Sequence, residues 1–374
     1  MGNPAKNINP EITITSKTTK EKINETYTPE LIIGLCYPIG TKVNEVKESI
    51  TNNLHEIGYI VIPIKLSEFI NKYEPDTFKE TIESGRTEAF TLLNNKIKGG
   101  DKLRSKYNNS ILAELAIYTI HLNRTGTNKY LDKLIPDTEY KGKKVCYLID
   151  SLKNLDELHL LRSIYKDIFY LFSIFTPVEE RIKYLASKEK GLSEPEATEI
   201  IDKDDHENIT SGQNVRETFV DADFFIRISN NIKKDQEEEF KKEIDEKVIR
   251  IINLIFESAI VTPSPHESAM YQAKSAAANS ACPSRQVGAS ITDKLGNVLS
   301  IGWNDVPKCG GNLYVDNENG KDFRCYEKGG CHNDQKKDEL TKNIVDLIFD
   351  NEDIFDILNK KNKIKISEIE KMKN

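Results

Sequence analysis

A glycine-containing segment near the start of the sequence has the residue types that bind phosphate. It runs from Gly34 to Lys42, reads GLCYPIGTK, and lies between an apolar stretch and a helical pattern. At such a junction, backbone amides and the N-terminus of the helix offer N–H donors to an anion. The Walker A pattern places four residues between its glycines, and then Lys followed by Ser or Thr. Here five residues separate Gly34 from Gly40, and Thr41 precedes Lys42.

Two interpretations of this segment stay open. In the first, a nucleotide is bound, and its contact residues are Gly34, Gly40, Thr41 and Lys42. In the second, the glycines serve only a tight turn between a strand and a helix. The lysine and the hydroxyl residue that would order Mg²⁺ have exchanged places, so we do not expect efficient phosphoryl transfer.

A second group of reactive side chains lies towards the other end of the sequence. Three cysteines and one histidine fall within 24 residues, namely Cys309, Cys325, Cys331 and His332. Zinc binds mixed Cys and His ligands in tetrahedral sites. The sequence has only six cysteines, and in a reducing compartment clustered cysteines bind metal more often than they pair. The segment predicts an auxiliary zinc site, with ordinary thiols and a surface histidine as the alternative.

The elements that would position these residues alternate between strands and helices. Apolar runs predict strands at about 31–36, 59–64, 143–150, 168–175 and 224–228. Helical patterns separate most of them, and a polar, acidic loop is predicted at about 190–212. Strands that are apolar on both faces and alternate with helices are typical of a parallel sheet. The sequence therefore predicts an α/β fold with a doubly wound domain at the front.

Composition and charge exclude several classes of protein. The chain carries 53 Lys and Arg against 60 Asp and Glu, a net charge of -7, which argues against a generic nucleic-acid coat protein. The 38% apolar fraction excludes a wholly disordered chain. No apolar run approaches the roughly 20 residues that span a bilayer, and the first residues lack a signal-peptide pattern. We expect a cytoplasmic protein with no membrane partner.

Residues 280–307 carry the most specific pattern in the sequence, SACPSRQVGASITDKLGNVLSIGWNDVP. They are predicted as the end of a small-residue helix followed by a hairpin. This pattern resembles the opening of zinc-dependent cytidine and deoxycytidylate deaminases, where a helix leads into Arg-x-Val-Gly-Ala and a strand ends in Gly-aromatic-Asn. The resemblance implies that Asn304 and Arg285 contact the nucleotide substrate. A turn made by Asn304 is the alternative.

Four segments of the front half belong to a wider resemblance: GGDKLR at 99–104, LAELA at 112–116, DSLK at 150–153 and LLR at 160–162. Together with the glycine segment, they resemble the P-loop kinase-like domain that precedes the deaminase domain in bacterial anti-phage deoxycytidine nucleotide deaminases. The resemblance implies hydrolytic deamination of dCTP or dCMP with Zn²⁺ as cofactor, in a homo-oligomer. An inhibitory RNA is a partner of some relatives.

The deaminase chemistry requires zinc ligands and a proton-shuttling Glu, which the family supplies as His-x-Glu and Pro-Cys-x-x-Cys. None of the six His is followed two residues later by Glu, and no Cys-x-x-Cys occurs. We therefore assign no catalytic residue and expect the chain alone to be inactive. The catalytic half would lie beyond Asn374, be supplied by a second chain, or have been lost.

The resulting domain prediction has four parts. A flexible N-terminus covers 1–28, a P-loop nucleotide-kinase-like domain 29–230, a charged connector helix 231–262, and a partial cytidine-deaminase-like α/β domain 263–374. A break rich in proline after residue 261 marks the boundary of the last part. Two other functions stay open, namely a nucleotide-sensing protein without catalysis and a deoxynucleotide kinase-like enzyme.

Overall fold

The computed structural model describes residues 30–79, 85–125, 144–205, 215–231, 234–315 and 322–350. The predicted flexible N-terminus at 1–28 lies outside these residues. The chain divides into two compact units, with unit 1 ending at Val261 and unit 2 beginning at Thr262.

Unit 1 alternates strands and helices along the chain. Its strands are β1 (Glu30–Cys36), β2 (Ile60–Lys65), β3 (Val145–Asp150), β4 (Phe169–Phe175) and β5 (Phe224–Arg227). Its α-helices are α1 (Asn44–Glu56), α2 (Leu66–Tyr73), α3 (Glu88–Lys106), α4 (Ile111–Arg124), α5 (Leu155–Tyr165), α6 (Val178–Leu185), α7 (Glu194–Asp205), α8 (Val215–Val220) and α9 (Glu237–Ile255). Short 3-10 helices cover Pro75–Lys79, Lys166–Ile168 and Lys234–Gln236.

The five strands form one parallel sheet in the order β2-β3-β1-β4-β5. The chain first builds the sheet on one side of β1 and then, from β4 onward, on the other side. A reversal of this kind opens a crevice at the carboxyl ends of the strands, where α/β proteins bind ligands. The predicted doubly wound α/β fold is confirmed, and β1 with its following loop lies at the centre.

Helices cover both faces of the sheet because the strands are apolar on both faces. One face packs against α1 and α9, with Val46, Ile50, Val248 and Ile252 among the buried residues. The other face packs against α2, α4 and α5. The segment 231–262, predicted as a connector, instead contributes α9 to the core of unit 1. Its apolar residues recur at helical spacing, and their burial against the sheet explains why this charged helix is not a free-standing link.

A third apolar cluster lies away from the two faces of the sheet and joins α3, α6 and α7. Its buried residues include Phe90, Leu185, Ala197 and Ile200, and the side chain of Ile39 packs against it. The prediction of an acidic loop at about 190–212 is wrong over Glu194–Asp205, where α7 forms, and residues 206–212 lie outside the described residues. The apolar residues of α7 fall three to four positions apart, which buries one face of the helix despite its acidic composition.

Unit 2 contains helix α10 (Pro265–Ala277), a hairpin of β6 (Gly288–Thr292) and β7 (Val298–Trp303), a 3-10 turn at Cys325–Lys328 and helix α11 (His332–Asp350). The strands pair antiparallel, with Gly288 opposite Trp303. Helix α10 packs on this hairpin. A capping box opens α10, in which Ser264 and Glu267 satisfy each other's backbone N–H groups. The order of helix and hairpin follows the sequence prediction for this region.

Across the described part of the chain, no helix combines the length and the hydropathy that crossing a membrane would require.

Candidate anion-binding site

The loop after β1 lies at the crevice of the sheet, but its first glycine does not. Gly34 is within β1, between β3 and β4. A Cβ atom there would lie 2.5 Å from Cδ1 of Leu152, so a larger residue would force the Leu152 side chain to move. Gly34 was predicted to contact a nucleotide. Because it lies within the sheet, the residues of the loop that follows are better placed to bind an anion.

Gly40 and Thr41 form the tight part of the loop. Gly40 has φ 85°, and a Cβ atom would come within 3.1 Å of Cβ of Arg181 and of Leu185 Cδ1 on α6. Only glycine tolerates both the left-handed conformation and this close approach. The Thr41 hydroxyl is buried and makes no hydrogen bond among the described residues. Its backbone N–H donates to the carbonyl of Pro38.

Lys42 is held by Asn230, which follows β5. The backbone N–H of Lys42 donates to Asn230 Oδ1 at 3.1 Å, and Lys42 Nζ donates to the Asn230 carbonyl at 3.2 Å. Asn230 Nδ2 in turn donates to the Gly40 carbonyl at 2.7 Å. Lys42 Nζ also lies 5.0 Å from the ring centroid of Tyr184, in a cation–π contact. The predicted phosphate-binding lysine therefore fixes the loop to its neighbours.

A carboxylate from helix α7 accepts hydrogen bonds from the loop. Asp204 Oδ2 accepts from the backbone N–H of Ile39 at 2.6 Å, and Asp204 Oδ1 accepts from Lys153 Nζ at 2.5 Å. The Asp204 side chain is fully buried and Lys153 is 12% exposed. A loop amide and a lysine thus converge on one anionic group, which is the donor arrangement that binds phosphate.

A second ion pair lies at the end of β3. Lys47 Nζ of α1 donates to Asp150 Oδ2 at 2.5 Å, and the Tyr37 hydroxyl donates to Asp150 Oδ1 at 2.5 Å. The Tyr37 hydroxyl also lies 2.9 Å from Ser151 Oγ. Ser151 has φ 72°, a strained conformation for a residue with a side chain, and such strain concentrates at functional sites.

Burial governs the protonation of two further groups at this edge. Burial first, and the Asp150 carboxylate second, raise the pKa of Tyr37 well above its usual range, so its hydroxyl stays a neutral donor. Burial also raises the pKa of the Cys36 thiol to about 12. A thiol with this pKa is not a nucleophile near neutral pH.

The carboxyl edge therefore holds two lysines and two aspartates in matched pairs, Lys47 with Asp150 and Lys153 with Asp204. Among the described residues, no three His, Cys, Asp or Glu side chains group in a way that would hold a metal ion.

Sequence reasoning identified part of this site. Asp150 and Lys153 belong to the DSLK segment that carried the resemblance, and Gly40 was expected in the loop. Asp204 was missed because it is 165 residues from Ile39 and lies in a helix predicted as a loop. Lys47 was missed, although a cation one turn into the helix that follows a loop of this kind is a local signal.

The two predicted substrate-binding residues of unit 2 lie next to each other. The Asn304 side chain accepts from the backbone N–H of Val287 at 2.7 Å and donates to the Arg285 carbonyl at 2.9 Å. The hydroxyl of Ser280 also lies within 3.0 Å of Asn304 Oδ1. The Asn304 amide thus closes the turn between α10 and the hairpin, while the side chain of Arg285 is exposed. Substrate binding by these residues stays a prediction.

The predicted auxiliary zinc site is not formed. Its four ligands were Cys309, Cys325, Cys331 and His332, and within the described residues they belong to no metal-binding group. Cys309 is exposed in a turn, Cys325 starts a 3-10 turn, and His332 begins α11 directly after Cys331. Adjacent side chains at a helix start point in different directions, which separates the last two ligands. As placed, these four residues do not form a site that fits zinc.

Comparison with known proteins finds weak similarity to solved structures. The sequence matches no protein-family model and no curated protein. TT1252 from Thermus thermophilus is 14% identical with a TM-score of 0.32, and the match covers 60% of this chain and 97% of that chain. Shikimate kinase from Bacteroides thetaiotaomicron is 10% identical with a TM-score of 0.33, over 60% and 98% of the two chains. A gluconokinase from Sinorhizobium meliloti 1021 is 9% identical with a TM-score of 0.31, over 63% and 100%. Because these scores are low, the fold described above rests on the strand order and register of this chain.

Proposed function

We propose that unit 1 binds a nucleotide through its phosphates at the carboxyl edge of β1 and does not transfer phosphate. One observation carries this proposal: the Ile39 amide and Lys153 Nζ both donate to the same buried carboxylate of Asp204. Buried donors need an acceptor, and an anionic group satisfies both donors at once. A phosphate would accept from the same two groups.

Lys42 of the loop and Asp150 at the end of β3 argue against phosphate transfer. Lys42 is bonded to Asn230, and both carboxylate oxygens of Asp150 accept from protein donors. Phosphoryl transfer needs a lysine on the transferred phosphate and a carboxylate that helps hold Mg²⁺. With both groups engaged elsewhere, binding is the function that the site supports best.

The test is the affinity of the full chain for ATP and dCTP, measured by isothermal titration calorimetry. We expect Lys153→Met to weaken binding at least tenfold, because charge-assisted hydrogen bonds contribute about 1.5–3 kcal/mol each. Lys188→Met removes an exposed cation of the same chain and is the matched control, with no change expected. Absence of binding by the wild type and by all variants, or equal affinity of wild type and Lys153→Met, would contradict the proposal. Transfer of phosphate from ATP to deoxynucleoside monophosphates would contradict the proposal that unit 1 does not transfer phosphate.

A second candidate function is the handling of deoxycytidine nucleotides by unit 2. It is supported by the helix and hairpin of α10, β6 and β7, which follow the order expected from the deaminase-like pattern. Deamination, a role in anti-phage defence, and a second chain or inhibitory RNA as partner belong to this candidate. We expect no uracil nucleotide from the purified chain with dCTP or dCMP and added Zn²⁺. Rapid product formation, followed by chromatography, would overturn the expected inactivity.

A further inference from the structure

We propose that Asp204 is a built-in competitor of the ligand, so that nucleotide binding and docking of the last turn of α7 exclude each other. The inference rests on the nucleotide site proposed above and adds its regulation. The two donors that would receive a phosphate, the Ile39 amide and Lys153 Nζ, are both engaged by Asp204. A ligand that uses them must displace this carboxylate.

The exchange keeps the charge of the site balanced. Lys153 is largely buried, and a buried cation without a counter-charge is costly. In the present state Asp204 supplies that charge, and in the bound state the phosphate supplies it. In the bound state the Asp204 carboxylate moves from its fully buried position into solvent, where a free carboxylate is well hydrated. The site therefore has two self-consistent states, each with one anion on the loop.

Helix α7 is anchored at the end opposite to Asp204. Glu196 accepts from the backbone N–H of Thr87 at 2.8 Å, and Glu199 accepts from Arg86 at 2.7 Å. These contacts fix the first half of α7 to the start of α3. The last turn is also tied to α3, because Lys203 Nζ donates to Asn94 Oδ1 at 3.1 Å. Displacement of Asp204 therefore requires movement of the last turn of α7 with loss or stretching of this one bond, and helix ends are the parts that open most easily.

The same turn is linked to the loop through apolar packing. Ile39 packs against the cluster that includes Ile200 and Ile201 of α7. Release of Asp204 loosens this contact, because the carboxylate is what fixes the Ile39 backbone to the helix. The state of the loop is thereby transmitted to the end of α7.

The test compares Asp204→Asn with Asp202→Asn in the full chain, with ATP and dCTP as probes. Asp202 is exposed on the same helix and is the matched control. We expect Asp204→Asn to raise the affinity for at least one nucleotide about tenfold or more, because the competing charge is gone while the side-chain shape is kept. We expect the control to bind as the wild type does. In the wild type, hydrogen–deuterium exchange of amides 201–205 should become faster when the nucleotide is added.

The possible outcomes separate the two proposals. If the wild type binds nucleotide, but Asp204→Asn binds equally or more weakly and exchange at 201–205 is unchanged or slower, this inference fails and the proposed function stands. If neither protein binds, both fail. If only Asp204→Asn binds, both are supported. If the variant does not fold, the exchange measurement on the wild type decides.

Discussion

Unit 1 and unit 2 differ in how completely they bury their apolar residues. In unit 1, both faces of the sheet are covered, and residues such as Leu31, Ile32 and Ile33 are fully buried. In the described part of unit 2, the buried apolar side chains are Ala273, Ala276 and Val345. Unit 1 therefore has the apolar core that makes a domain stable on its own, while unit 2 has a small one.

The hairpin shows where the difference arises. Ile291 is 63% exposed and Leu299 66% exposed, although both are residues that usually pack in sheets. Helix α10 covers one side of the two strands, and a two-stranded sheet is marginal without more partners. The helix and hairpin of unit 2 therefore form from local sequence patterns, whereas unit 1 is stabilised by contacts between residues distant in sequence.

The largest expected effect comes from breaking a buried ion pair in unit 1. Glu157 Oε1 accepts from Arg104 Nη2 at 2.8 Å, and both side chains are at most 1% exposed. Glu157→Ala leaves the buried guanidinium with only the longer contact to Asp101, whose Oδ1 lies 3.5 Å from Arg104 Nη1, and breaking a buried ion pair costs about 3–5 kcal/mol. We expect a large shift of the urea transition followed by far-UV circular dichroism. Asp156→Ala, at an exposed neighbouring position, should shift it by less than about 1 kcal/mol.

Fluorescence of the single tryptophan allows the unfolding of unit 2 to be followed separately from that of unit 1. Trp303 lies in β7, so its fluorescence reports on the hairpin. We expect Glu157→Ala to move the circular dichroism transition much more than the fluorescence transition. Equal shifts in both signals would show that the two units unfold together, and the contrast in burial would then not translate into separate stability.

A smaller effect is expected within unit 2. A Cβ atom on Gly288 would lie 1.9 Å from the carbonyl oxygen of Ala273, so Gly288→Ala pushes β6 away from the backbone of α10. Overpacking of this kind costs about 1–3 kcal/mol. We expect an earlier transition of Trp303 fluorescence, since Gly288 pairs with Trp303. Gly302→Ala is the control in the same hairpin, where a Cβ atom meets nothing within 4 Å. Equal effects of the two substitutions would argue against this contact.

The last expected effect is a pH dependence in unit 1, which is confined to acid conditions. Burial opposes ionisation of Glu196, but hydrogen bonds from Ser193 and Thr87 outweigh it and lower the pKa to about 2, from an ordinary value of 4.5. A lowered pKa in the folded state means that stabilisation is complete above pH 4.5 and is lost as pH falls through about 2. We expect Glu196→Gln to flatten the acid dependence of urea unfolding. Glu194→Gln, at an exposed position, should retain it.

The fold of unit 1 was predictable because local sequence patterns identify its strands. The runs that became β1 and β4 are apolar on both faces, which indicates a buried parallel sheet. Helix α7 was not predictable in the same way, because its acidic residues suggest a loop. Burial of Ala197 and Ile200 against α3 and α6 decides its structure, and that contact is not visible in a local pattern.

The loop of the candidate site was predictable from the sequence, but the pairing of its charged side chains was not. Gly40 has the glycine-requiring conformation that a strand–helix loop suggests. The pairing of Lys153 with Asp204 depends on the three-dimensional arrangement of α7, so spacing along the chain says nothing about it. The predicted zinc ligands illustrate the reverse case, since proximity in sequence did not bring Cys309 and Cys331 into one metal-binding group.

The carboxylate of Asp204 reaches the loop as part of the same polypeptide, so a free ligand competes with it on unequal terms. A tethered group acts at an effective concentration on the order of millimolar or more. Free inorganic phosphate would make the same two contacts that Asp204 makes, with the Ile39 amide and Lys153. It therefore has no energetic advantage over the tethered carboxylate. Under the proposed exchange, a ligand with several phosphates gains further contacts where it also replaces Asp150 as the partner of Lys47. We therefore expect the loop to bind polyphosphates in preference to single phosphate ions.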